Sequence, residues 1–237
     1  MPESGKYWYK PLIDKSTQTI SSAHAKNKII SNEQDILAIW RTLTLRVSHE
    51  PENLKLHAQR LLFALENNIA NYISGALQDL FICLGSKGFS LRQRMFNLTS
   101  PVMVQSDRIY FQRWLMDDTD KNLACERFLG AVFKSETCQS IQEGDESKGL
   151  NTHLVFKNQL AEARYNLEAG QIVKGQALLE NYYIKNENDS GAMNELQNVY
   201  SYTKNKDALI NFTQKLSENS GQIPSVWTTL LNDSNSW

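Results

Sequence analysis

The chain has 237 residues, of which 41% are apolar and 22% charged, with a formal net charge of −1. That apolar share is enough to build a core and argues against wholesale disorder. Near-neutrality argues against non-specific binding to nucleic acid or to an anionic membrane, both of which need clustered Lys and Arg.

Residues 1–30 carry Lys-Tyr-Trp-Tyr-Lys at 6–10 and then a polar run from Asp14 to Thr19. No period is sustained there, so they read as an irregular arm. Tyr7 and Trp8 are its candidate partner contacts, because aromatic residues are enriched where interfaces concentrate their binding energy. The amino-terminal stretch has no apolar signal-peptide region, and nowhere does the chain approach the roughly 20 apolar residues of a bilayer crossing. Cys83, Cys125 and Cys138 are an odd number without CxxC spacing. The expectation is a reduced, cytoplasmic protein without membrane insertion.

Helical order is expected from Ser31, where Ser31 and Gln34 have the spacing of a capping box. Ile36, Trp40, Leu43 and Val47 mark one buried stripe. Pro51 suits the first turn of a second helix, where its missing N–H costs nothing; that helix carries Leu54, Ala58, Leu61, Leu62 and Leu65. A third runs from Ile69 to Leu84, and its wide apolar arc places it centrally. Gly85 closes it as a left-handed C-cap. The run Gly85-Ser86-Lys87-Gly88 follows a helix and lacks the GxxxxGK[ST] pattern, so it is not a phosphate loop. Ser90 and Gln93 have capping-box spacing before Leu91, Met95 and Leu98, and Ser100-Pro101 ends that helix. Further helices are expected at about 106–116 and 120–134. Arg41, Arg46, Arg60, Arg92, Arg94, Arg108 and Arg113 alternate with acids and read as a solvated mixed face. With strand signals nearly absent, the fold class is all-α.

Residues 135–150 turn polar and acidic and read as a linker. The domain organisation expected is therefore an arm at 1–30, a helical bundle or hairpin array at 31–134, the linker, and a second helical unit at 151–237. In that unit Trp227 and Leu230 recur 34 residues after Met193 and Leu196, and Phe212 and Leu216 recur 34 after Leu178 and Tyr182. Self-similarity at this period is the mark of stacked two-helix units.

These residues resemble the tetratricopeptide repeat, a helix-turn-helix unit of 34 residues. Met193, Leu196 and Tyr200 match its first-helix W, L and Y positions, Trp227 and Leu230 match the first two again, and Ala208 and Phe212 match its second helix. The likeness covers about residues 154–231. It departs from the pattern at Gln197, where a small residue is expected, and in the 33-residue spacing from Leu160, Ala163 and Leu167 to Met193, Leu196 and Tyr200. The helix opened by Pro224 stands alone, which fits a terminal cap and equally a fragment of something longer. The resemblance implies a groove lined by the first helix of each unit, which places Asn158, Tyr165, Asn194, Asn198 and Tyr202 as candidate partner contacts. Asn194, Asn198 and Tyr202 follow at i, i+4 and i+8 and share a face. An Asn amide offers both a donor and an acceptor to an extended peptide backbone.

Signs of catalysis are few. The histidines are His24, His49, His57 and His153, without HExxH or another metal-ligand spacing. No GxSxG elbow and no GxGxxG loop occurs. Cys83 lies in an apolar helix interior, where a thiol is inert. The expectation is a non-enzymatic adaptor, chaperone or assembly factor that binds a protein or peptide partner and needs no cofactor or metal. Self-association is a further possibility of such a chain. The alternative is a helical accessory domain of an enzyme with a site near His57 and Arg60.

Overall fold

The computed structural model describes residues 33–117, 128–133 and 155–237, and among them every regular element is helical. The fold is all-α. The amino-terminal part holds α1 (Glu33–His49), α2 (Leu54–Glu66), α3 (Ile73–Leu84), α4 (Phe89–Thr99) and α5 (Gln105–Met116). The carboxy-terminal part holds α6 (Gln159–Glu168), α7 (Ile172–Lys185), α8 (Ser190–Thr203), α9 (Lys206–Ser220) and α10 (Ser225–Asp233). Tyr7, Trp8, the Ser31 cap and the 135–150 segment lie outside the described residues.

Helix limits follow local chemistry. Asn158, Asp189 and Asn205 each accept the N–H three residues on, at 2.8, 3.0 and 3.0 Å, and so start α6, α8 and α9. Gly85 ends α3 at a φ of +53°, open to glycine without a Cβ penalty. Three expectations need local correction. Pro51 lies in the turn ahead of α2, whose N-cap is Asn53, and its carbonyl accepts from the side chains of His57 and Cys83. Ser90 is inside α4, which Gly88 begins, so no Ser90–Gln93 box forms. α4 does end at Thr99, ahead of Ser100-Pro101 as expected, but Ser100 keeps helical angles and continues with Pro101 into a 3-10 turn, because proline at the second position of such a turn displaces no hydrogen bond.

Two apolar clusters fill the interior. One gathers Trp40, Leu61, Leu77, Leu80, Phe81, Met95, Phe111 and Trp114 from α1–α5. The other gathers Leu160, Leu167, Leu179, Tyr183, Leu196, Tyr200, Phe212 and Trp227 from α6–α10, together with Leu45 of α1. α1 therefore belongs to both. On α7 the fully buried positions are Leu179 and Tyr183, while Leu178 and Tyr182 are half-buried at the edge. The 34-residue match of Leu178 and Tyr182 to Phe212 and Leu216 is thus about 100° of helix rotation off the core-facing stripe.

The expected helix at 120–134 is not formed where it is described. Phe128–Phe133 is a non-helical strap lying between α3 and the α6–α7 turn. Gly130 turns it at a φ of +91°, and Asp79 of α3 accepts the N–H groups of Val132 and Phe133 at 2.9 Å each. Those donors would serve the ladder in a helix. Gln78 accepts from Phe128, and Gly130 donates to the Ala169 carbonyl at 3.2 Å, which joins the strap to the carboxy-terminal part.

Candidate interaction groove

α6 and α8 present a common face, and α1 lies against it. Between the three helices runs an open groove of about 330 Å³. Ala38, Ile39 and Thr42 form one wall, Asn194 and Asn198 the other, Arg41 and Glu195 the charged floor, and the more exposed Arg164 its rim. Asn194 and Asn198 are exposed and one helical turn apart, so both amides front the same space.

The charges beneath form a chain. Arg41 reaches Glu168 through Nη1 at 2.5 Å and Glu195 through Nε at 2.6 Å, while Arg164 holds the other Glu195 oxygen at 2.7 Å. Glu168 also accepts from the Tyr72 hydroxyl at 3.2 Å, and its backbone carbonyl accepts from the Trp40 indole N–H at 2.9 Å. Burial pushes the Glu168 carboxyl above its ordinary value, and Arg41 and Tyr72 pull it back. The Tyr72 hydroxyl is raised by the same burial and by the Glu168 charge. Such a chain of opposite charges fixes α1 to α6 and α8.

The remaining sequence candidates are dispersed. Asn158 spends its side-chain oxygen on the α6 cap. Tyr165 packs on Phe156 with ring centres 5.3 Å apart, and Tyr202 lies half-buried on the carboxy-terminal core. The pattern brings together only Asn194 and Asn198.

His57 and Arg60 are both 1% exposed. Arg60 bonds Asp79 at 2.6 Å and the Gly130 carbonyl, with its guanidinium 4.4 Å from the Trp40 ring centre. Removal from water works against both charges, lowering the arginine and raising the carboxyl from their ordinary values. The solvated-face reading is therefore wrong for Arg60 and also for Arg92, which is 1% exposed beside Phe81. The His57 Nε2–H donates to the Pro51 carbonyl at 2.8 Å, and the Cys83 thiol donates to the same oxygen at 3.0 Å. With both groups acting as donors, the imidazole is no base for the thiol. Burial raises the Cys83 pKa further.

Arg41, Glu168, Glu195 and Arg164 were not legible as a unit, since Arg41 is 127 residues from Glu168. Asp79 carried a signal: a carboxylate inside the widest apolar arc needs a buried partner. Among the described residues no three His, Cys, Asp or Glu side chains gather to hold a metal, and no helix is long and apolar enough to cross a membrane. No family model, curated protein or solved structure matches the chain.

Proposed function

We propose that this protein is a non-enzymatic interaction module whose groove between α1, α6 and α8 receives a segment of a protein partner. The observation that carries the reading is the convergence of two exposed amides, Asn194 and Asn198, over an apolar and charge-paired trough. Amides at this spacing are about 6 Å apart along the helix, close to the two-residue repeat of an extended chain at about 6.6 Å, so each can pair with a peptide unit on one side of that chain. The likeness to tetratricopeptide units supports the same reading, with one change: part of the face such units would offer is taken by α1 of the same chain.

The test compares proteins retained by the intact chain with those retained by Asn194→Ala/Asn198→Ala. Binding of a given partner should fall by at least tenfold in titration calorimetry while the melting temperature stays unchanged. A partner held equally by both forms would remove the groove from the function.

A further inference from the structure

We infer that His57 is an acid-sensitive pin seating the Phe128–Phe133 strap, so that a proton on its ring unseats the strap while the rest of the fold stands. The geometry is specific. Nε2 is committed as donor to the Pro51 carbonyl, so the neutral ring carries its lone pair on Nδ1. That Nδ1 is buried and has no hydrogen-bond partner. Its ring centre is 6.1 Å from that of Phe133, whose own N–H is held by Asp79. A proton arriving at Nδ1 creates a buried donor without an acceptor and adds a charge out of reach of water.

The charged and titratable groups around the ring come from each element near it. Burial is the largest effect on the ring and Arg60, on the same helix, adds to it by repelling the charge; together they outweigh the Pro51 hydrogen bond and the attraction of Asp79 on α3, and the His57 pKa falls from 6.5. Cys83 of α3 shares the Pro51 carbonyl, Glu52 stands exposed on the preceding turn, and the strap contributes no ionisable side chain between Phe128 and Phe133. A base whose pKa is depressed by folding binds fewer protons in the seated form. Opening is therefore favoured as pH falls below 6.5, by up to tenfold per pH unit until the lowered value is reached.

Hydrogen exchange at the Val132 and Phe133 amides of the full chain tests this between pH 7.5 and 5, corrected for the intrinsic pH dependence of exchange. Leu209 and Phe212 in α9 serve as internal references, and His57→Gln keeps a donor for Pro51 without a titrating ring. The strap amides of the wild type should lose at least tenfold protection relative to α9, and those of His57→Gln should not. Equal loss in the variant would assign the effect to Asp79 and overturn the inference, as would parallel loss at α9 or none at all. Should the variant fail to fold, the His57 ring is titrated by NMR in the wild type. A midpoint that does not coincide with the loss of strap protection overturns the inference as well.

Discussion

Asp79 of α3 ties α2 and the strap together. It is fully buried, pairs with Arg60 and takes two strap N–H groups. Asp79→Asn leaves the Arg60 charge without its anion, and the expected loss is about 3–5 kcal/mol in a denaturant titration. Asp79→Leu combined with Arg60→Met should lose less than the two changes summed, because no charge is stranded. Gly75 is a second constraint at this scale. A Cβ there would overlap the backbone of Leu129, Gly130 and Ala131. Alanine normally favours a helix interior by about 1 kcal/mol, yet Gly75→Ala should lower the melting temperature because strap backbone cannot give way. Gly191→Ala is the control: its Cβ would meet only the Asp189 carboxylate, at 3.2 Å, and stability should hold or rise slightly.

Among elements, α6, α8 and α9 each start at a side-chain cap, while α7 and α10 do not. Asn205→Ala removes the acceptor for the Ala208 N–H and should cost about 1 kcal/mol. Asp189 does the same work for α8 as a carboxylate, and its bond from Ala192 holds it below its ordinary value of 3.8. A carboxyl depressed by folding stabilises above its unfolded pKa and stops doing so as pH falls through the folded one. The melting difference between wild type and Asp189→Ala should therefore be constant above about pH 5 and shrink below 3.8. A difference that persists unchanged at pH 2.5 would mean that the charge is irrelevant to the cap.

Over the whole molecule, α1 is the helix that contributes to both apolar clusters, and the strap bridges the same two parts. Trp40 of α1 sits in the first cluster and its Leu45 in the second, and Arg41 between them grips Glu168 and Glu195. Those partners are 9% and 13% exposed at the side chain, whereas Arg164 is 39% exposed. Solvent screening makes the outer pair weak. Arg41→Ala should thus destabilise by about 2 kcal/mol or more and Arg164→Ala by well under 1 kcal/mol, in chemical denaturation at physiological salt. The reverse order would mean that the rim and not the floor holds α1 in place.

The amino-acid sequence by itself determined the helices. Their stripes, such as Trp40–Leu43–Val47 and Leu196–Tyr200, follow from the 3.6-residue period, and their ends at Gly85, Asp189 and Asn205 follow from the backbone freedom or side-chain acceptors of single residues. The Asn194–Asn198 face was legible for the same reason, since neighbours one turn apart on a helix are fixed by local geometry. The strap, the Arg60–Asp79 pair and the Arg41 charge chain were decided only by tertiary structure. Each joins groups 19 to 154 residues apart, or gives backbone donors to a distant carboxylate in place of their own helix. Local periodicity holds no record of such contacts, because burial pairs a charge with whatever partner the packed chain brings near, and sequence distance does not enter that energy.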